Sequence, residues 1–257
     1  MYREVQMGRS EGRILVLGNG SLAQVRTEEV PSSLHLTPEQ LSVLPAVVGR
    51  IKEEGRVVTD GPTYRLESWE VGEELSLRVS RRSYFDSVLL KEHPEWGVRS
   101  RILAASCVLK CTDGYLIEKR SEKVAALPGW LHISPSGSLV PPQHPLATVL
   151  QEAHEELGLQ PHEMRDLGCL GLVYADRVGV FQLVCTATVD CSRRALEERE
   201  CSGAWERSRL VCCPARPGPL IDWLKEHRDR MTVAGFSALA MEGMRRGGED
   251  WAEEVPF

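Results

Sequence analysis

The chain has 257 residues, of which 42% are hydrophobic, 26% charged and 6% aromatic, enough for one large globular core without a metal or disulfide. Thirty-one basic and 37 acidic side chains give a net charge of -6, which argues against nucleic acid or an anionic membrane as partner. No run reaches the roughly 18 consecutive apolar residues of a membrane span, and MYREVQMGRSEGR lacks a secretory apolar run, so the expectation is a soluble, cytoplasmic protein.

Thr37-Pro38-Glu39-Gln40 has the form of a helix capping box with Pro at the first helical position. Leu41, Leu44, Val47, Val48 and Ile51 recur at helical spacing up to a stop at Gly55. Two strand-like runs follow, Thr63 to Trp69 and Leu75 to Ser80, with a turn near Gly72, and then a short helix from about Ser83. The stretch HPEWGVRS marks a boundary near residue 98. Beyond it, ILAASCVLK and GYLIEKR flank the turn Thr112-Asp113-Gly114 as a hairpin. GCLGLVYADR, VGVFQLVCTATV and SRLVCC are β-like, and helices are expected up to Gly158 and over Val233 to Met244. Strands alternating with helices suit an α/β sandwich, a mixed sheet between helices. The organisation expected is an α+β extension over 1–98, a main domain over 99–247 and a flexible tail over 248–257. The eight cysteines include no C-x-x-C pair and sit largely in apolar runs, as reduced structural thiols do.

The chemistry concentrates in PSGSLVPPQHPLATVLQEAHEELGL, residues 135–159. Pro145 fits the first turn of a helix and Gly158 its stop. Leu146, Val149, Leu150, Ala153 and Leu157 form one apolar stripe, while Glu152, Glu155 and Glu156 stand at i, i+3 and i+4 on another face. Three like charges there repel. A solvated acidic face is one reading of them. The other is an oxygen-only site for a hard divalent cation, magnesium or manganese.

This segment resembles the Nudix hydrolase signature, G-x5-E-x7-R-E-U-x-E-E-x-G-U with U a bulky aliphatic. Gly137, Gln143 and Gln151-Glu152-Ala153-His154-Glu155-Glu156-Leu157-Gly158-Leu159 keep its full spacing. Two positions depart: Gln143 stands where the family has Glu, and Gln151 where it has Arg. A neutral hydrogen-bonded pair in place of an ion pair is the expectation for them. YLIEKRSEKVAALPGW and LSLRVSRRSYFD are similar to the branch that cleaves UDP-glucose and UDP-galactose.

The resemblance implies a Nudix-type α/β/α sandwich and a Mg2+- or Mn2+-dependent pyrophosphatase acting on a small nucleotide, a UDP-sugar giving UMP and sugar 1-phosphate. It implies Glu152 and Glu156 as metal ligands, Glu155 as a further ligand or water-orienting base, and the Gly137 carbonyl beside them. Lys119 and Arg120, ending a strand before the loop, either grip the diphosphate or form a solvated strand end. Arg82 and Tyr84 reach the substrate if the extension covers the site. A dinucleoside polyphosphate or ADP-ribose is the alternative substrate, and a nucleotide-sensing domain without catalysis the alternative function. Monomer and homodimer both remain open.

Overall fold

The structure, a computed structural model, describes residues 3–9, 12–18 and 25–255. In chain order its elements are β1 (Arg3–Arg9), β2 (Gly12–Leu17), β3 (Val25–Glu29), α1 (Pro38–Ser42), α2 (Leu44–Glu53), β4 (Pro62–Val71), β5 (Leu75–Ser83) and α3 (Tyr84–Glu92). There follow β6 (Ile102–Cys111), β7 (Gly114–Arg120), β8 (Leu131–Ile133), β9 (Ser136–Ser138), α4 (Pro145–Leu157), β10 (Arg165–Ala175) and β11 (Val180–Thr188). The chain ends through α5 (Arg193–Glu197), β12 (Arg207–Cys213), α6 (Pro217–His227), α7 (Val233–Gly247) and α8 (Glu249–Glu254).

These strands join in one mixed sheet with the order β1-β2-β10-β11-β6-β4-β5-β3, and β7 carries β12 and β8 beside β6. The β11–β6 and β3–β5 pairs are parallel. The sheet lies between helices, as an α/β sandwich requires. Alternation along β6 sends Leu103, Ala105, Cys107 and Leu109 to the face covered by Val149, Ala153 and Leu157 of α4. Val108 belongs to the opposite face, with Leu239, Ala240 and Met241 of α7. Val149, Ala153 and Leu157 are fully buried, and each large apolar side chain hidden this way contributes about 1.5–3 kcal/mol.

The sheet runs across the boundary expected at residue 98. The β1–β2 hairpin, which the sequence pattern did not disclose, pairs through β2 with β10, and β4 meets β6 at Arg65 and Ile102. What stands apart is the helical cluster of α2 and α3, with its own small core of Val47, Ile51, Val58, Val88 and Leu89. The capping box forms as expected, with the Gln40 amide donating to Thr37 Oγ1 at 3.2 Å and the Thr37 amide to Gln40 Oε1 at 2.9 Å. The single helix expected after it is two, divided at Val43, because Pro45 lacks the N–H needed to continue the first.

The flexible tail expected over 248–257 needs correction up to residue 255, while residues 256 and 257 lie outside those described. Residues 249–254 are helical, Trp251 is buried, and its indole Nε1 donates to the Pro217 carbonyl at 2.8 Å. The ring lies against Gly243 and Gly247 of α7, where an added Cβ would come within 2.1 and 2.7 Å of it. No helix among the described residues is long and apolar enough to cross a membrane.

Candidate active site

Helix α4 begins at Pro145, after His144, whose imidazole accepts from the Leu146 amide. It ends at Gly158 in the left-handed conformation at φ 65°. This length sets the three glutamates over the strands β6, β7 and β9, and each meets different surroundings.

Glu156 is 3% exposed, and its carboxylate accepts from Ser134 Oγ at 2.9 Å and the Ser136 amide at 3.3 Å. Burial, then Glu118 and Glu152 nearby, hold its pKa well above the ordinary carboxylate range against the Ser134 hydrogen bond. Glu152 is raised to about 8 by burial, with Glu155, Glu206 and Glu118 adding to it. Glu118, on β7, reaches about 7 because burial outweighs the neighbouring Arg120 guanidinium, 3.4 Å away. Glu206 is raised too, chiefly by burial. Glu155 accepts at 2.7 Å from the Gln151 carboxamide, which in turn accepts from Gln143. The two residues that depart from the signature thus form a neutral relay ending on a glutamate. Four buried or half-buried acids surround one point, outnumbering the Arg120 and Arg207 guanidinia that act on Glu118, so the cluster is short of counter-charge.

Gly137 is where the strand and Glu152 meet. A Cβ on Gly137 would lie 1.7 Å from Glu152 Oε1, so only glycine lets the carboxylate settle on β9.

Glu152, Glu155, Glu206 and Gly137 line a cavity of about 450 Å³, whereas Glu156 lies behind it. Arg120 enters this cavity, as do Tyr84 and Lys91 of α3, Trp205, and Thr232, Val233 and Ala234 at the start of α7. The Lys91 pKa is lowered to about 8 by burial and then by Arg120, and its ammonium lies 5.9 Å from the Tyr84 ring centre. Arg120 also braces the loop before β8 by donating to the Ala126 carbonyl at 3.1 Å. Across that loop, the Val57 amide donates to the Lys123 carbonyl and Arg56 to that of Ala125, each at 2.9 Å. The N-terminal helices are thereby docked on the cavity wall.

Of the residues named from sequence, Glu152, Glu155, Gly137, Arg120 and Tyr84 meet at this cavity. Lys119 does not: strand alternation turns it to the other face of β7, where it lines a separate cavity. Arg82 does not either, since Asp86 one helical turn on holds its guanidinium at 2.7 Å. Glu118, Lys91 and Trp205 escaped the sequence reading. Glu118 had a signal, because it shares a strand face with Leu116 and Arg120; Lys91 and Trp205 come from distant segments and had none.

As for a metal, glutamates beside the Gly137 backbone offer oxygen donors only, a set suited to magnesium or manganese, and their uncompensated burial fits a cation that would neutralise them. A soft set also exists. Cys111, Asp113 and Cys212 hold their ligand atoms within 4.8 Å of one another, with the two thiols 3.4 Å apart.

No family model matches the chain, and no curated protein does. Among solved structures, a Nudix hydrolase from Nitrosomonas europaea aligns with 55% of this chain and 86% of its own, at 14% identity and a TM-score of 0.38. A C. elegans Ap4A hydrolase aligns over 58% and 99%, at 13% identity and a TM-score of 0.40. A bifunctional NMN adenylyltransferase/ADP ribose pyrophosphatase from Francisella tularensis aligns over 61% and 47%, at 14% identity and a TM-score of 0.42.

Proposed function

We propose that the protein is a Nudix hydrolase that cleaves, with magnesium or manganese, a nucleoside diphosphate linked to a second group, and that a UDP-sugar is its substrate. The observation that carries this reading is the cavity itself: carboxylates on one wall, and Arg120, Lys91 and the start of α7 on the others. The acids are arranged for a cation and the basic groups for an anion, which is what a metal–diphosphate pair demands.

When bound, the cation supplies neutralisation of phosphate oxygens and a lower pKa for water. The chain's own residues do the rest. Arg120 and Lys91 attract and orient the diphosphate. The first amides of α7, a helix of 15 residues, add the positive end of its dipole. Trp205, 44% exposed at the cavity, offers a face for a base or sugar ring. Glu155, held by Gln151, is the carboxylate best placed to orient an attacking water, because it faces the cavity while Glu156 lies behind it.

Attack inside the diphosphate is favoured over glycosidic cleavage. The latter needs two separated carboxyl groups flanking a sugar, whereas these cluster on one helical turn. A panel of nucleoside diphosphate derivatives with magnesium, in water enriched in heavy oxygen and read by mass, tests the reading. UMP and sugar 1-phosphate, one of them labelled, is the expected result. Label confined to free sugar, or no cleavage anywhere in the panel, would overturn it. The second outcome favours a nucleotide sensor, for which the neutral Gln143–Gln151 pair is the supporting feature.

A further inference from the structure

The far face of β7 carries a second cavity of about 330 Å³, lined by Lys119, Arg209, Arg230, His227 and Trp223 among others. Lys119 and Arg209 are register partners across β7 and β12, so two like charges stand opposite each other on one sheet face. Such a pair destabilises a sheet unless something offsets it. Among the described residues no acidic side chain lines the cavity, and none forms an ion pair with Lys119, Arg209 or Arg230. On α6, Trp223 and His227 stack with ring centres 4.1 Å apart and planes 8° from parallel. His227 Nδ1–H donates to the Trp223 carbonyl at 2.9 Å, which fixes the imidazole against the indole and leaves Nε2 unengaged by that bond.

We propose that this cavity is a binding site for a nucleoside monophosphate, with Lys119, Arg209 and Arg230 on the phosphate and Trp223 beside the base. None of these groups belongs to the glutamate cavity. Unopposed cations call for an anion, a rigid aromatic pair calls for a flat partner, and the volume suits one nucleotide rather than a polymer. Arg120 follows Lys119 directly on β7 and opens into the other cavity, so occupancy of one side bears on the strand that positions a cation in the other.

The test uses the full chain in EDTA, with UMP and inorganic phosphate as probes, titrated while the indole N–H signals of Trp223 and Trp205 are followed by NMR. UMP is expected to shift Trp223 and to bind more tightly than phosphate. The variant Arg209→Gln/Arg230→Gln should weaken UMP by roughly tenfold or more, and Trp223→Leu should weaken UMP while leaving phosphate unchanged. Glu152→Gln, in the other cavity, should leave the Trp223 titration as it was. A shift at Trp205 alone, unchanged UMP affinity in Arg209→Gln/Arg230→Gln, or no binding of either probe would overturn the proposal.

Discussion

The carboxamide of Gln143 donates to that of Gln151, which donates in turn to Glu155. Each amide spends its acceptor on one neighbour and its donor on the next, so charging one member alone breaks the relay. Gln143→Glu alone places a carboxylate on the acceptor of Gln151 and should lower kcat/KM by roughly tenfold. Gln151→Arg alone should cost less, because Glu155 still gains a donor. The double variant, adding opposite charges together, should recover most of the loss. Steady-state kinetics of the four proteins check the order.

Glu156→Gln keeps the volume and the Ser134 contact but removes the charge. Hydrolysis should be lost and the fold retained, with an apparent melting temperature equal to or above that of the parent. The parent should melt higher when magnesium is added, as cation binding to the native state requires, and the variant should lose much of that shift. Differential scanning calorimetry with and without magnesium measures both effects.

Trp205→Ala removes an exposed ring, so unfolding free energy should move by no more than about 0.5 kcal/mol. If the ring stacks on substrate, KM should rise roughly tenfold with a smaller change in kcat. Urea titration and initial rates separate the two.

His132 is buried, with its Nδ1 hydrogen-bonded at 2.5 Å to Thr232 Oγ1, which also accepts from the Gly235 amide. Burial, then Arg120, lowers its pKa to about 3 from an ordinary value near 6.5. The folded chain therefore binds fewer protons here than the unfolded one between those values. The stability this confers is complete above about pH 6.5 and declines as pH falls toward 3, by up to about 1.4 kcal/mol per pH unit. His132→Gln should flatten that acid limb in urea titrations run across the range.

Trp251→Ala opens a hole between α7, α8 and the start of α6 and breaks the bond to Pro217. A loss of about 3–5 kcal/mol is expected in chemical unfolding.

That last effect could not be read from the sequence. RRGGEDWAEEVPF is short, charged and carries paired glycines, all marks of a loose end. Gly243 and Gly247 supply a flat bed for an indole only after α7 has formed. Signals written locally fared better: the Thr37 box, the Gly158 stop and the glutamate spacing depend on neighbours within a few residues. The divergence of Lys119 and Arg120 was also local, implicit in the two-residue period of a strand. Lys91 and Trp205 at the cavity and β2 beside β10 depend on contacts between distant segments, which periodicity does not encode.

The position of β2 between β1 and β10 bears on how the chain is made. During synthesis, the first hairpin leaves the ribosome with one edge unsatisfied, and its partner β10 emerges only after α4. The central parallel pair of β6 and β11 is delayed in the same way. Assembly of the sheet is therefore expected to occur late in translation, as a concerted event, with a long interval in which strand edges are open to other chains.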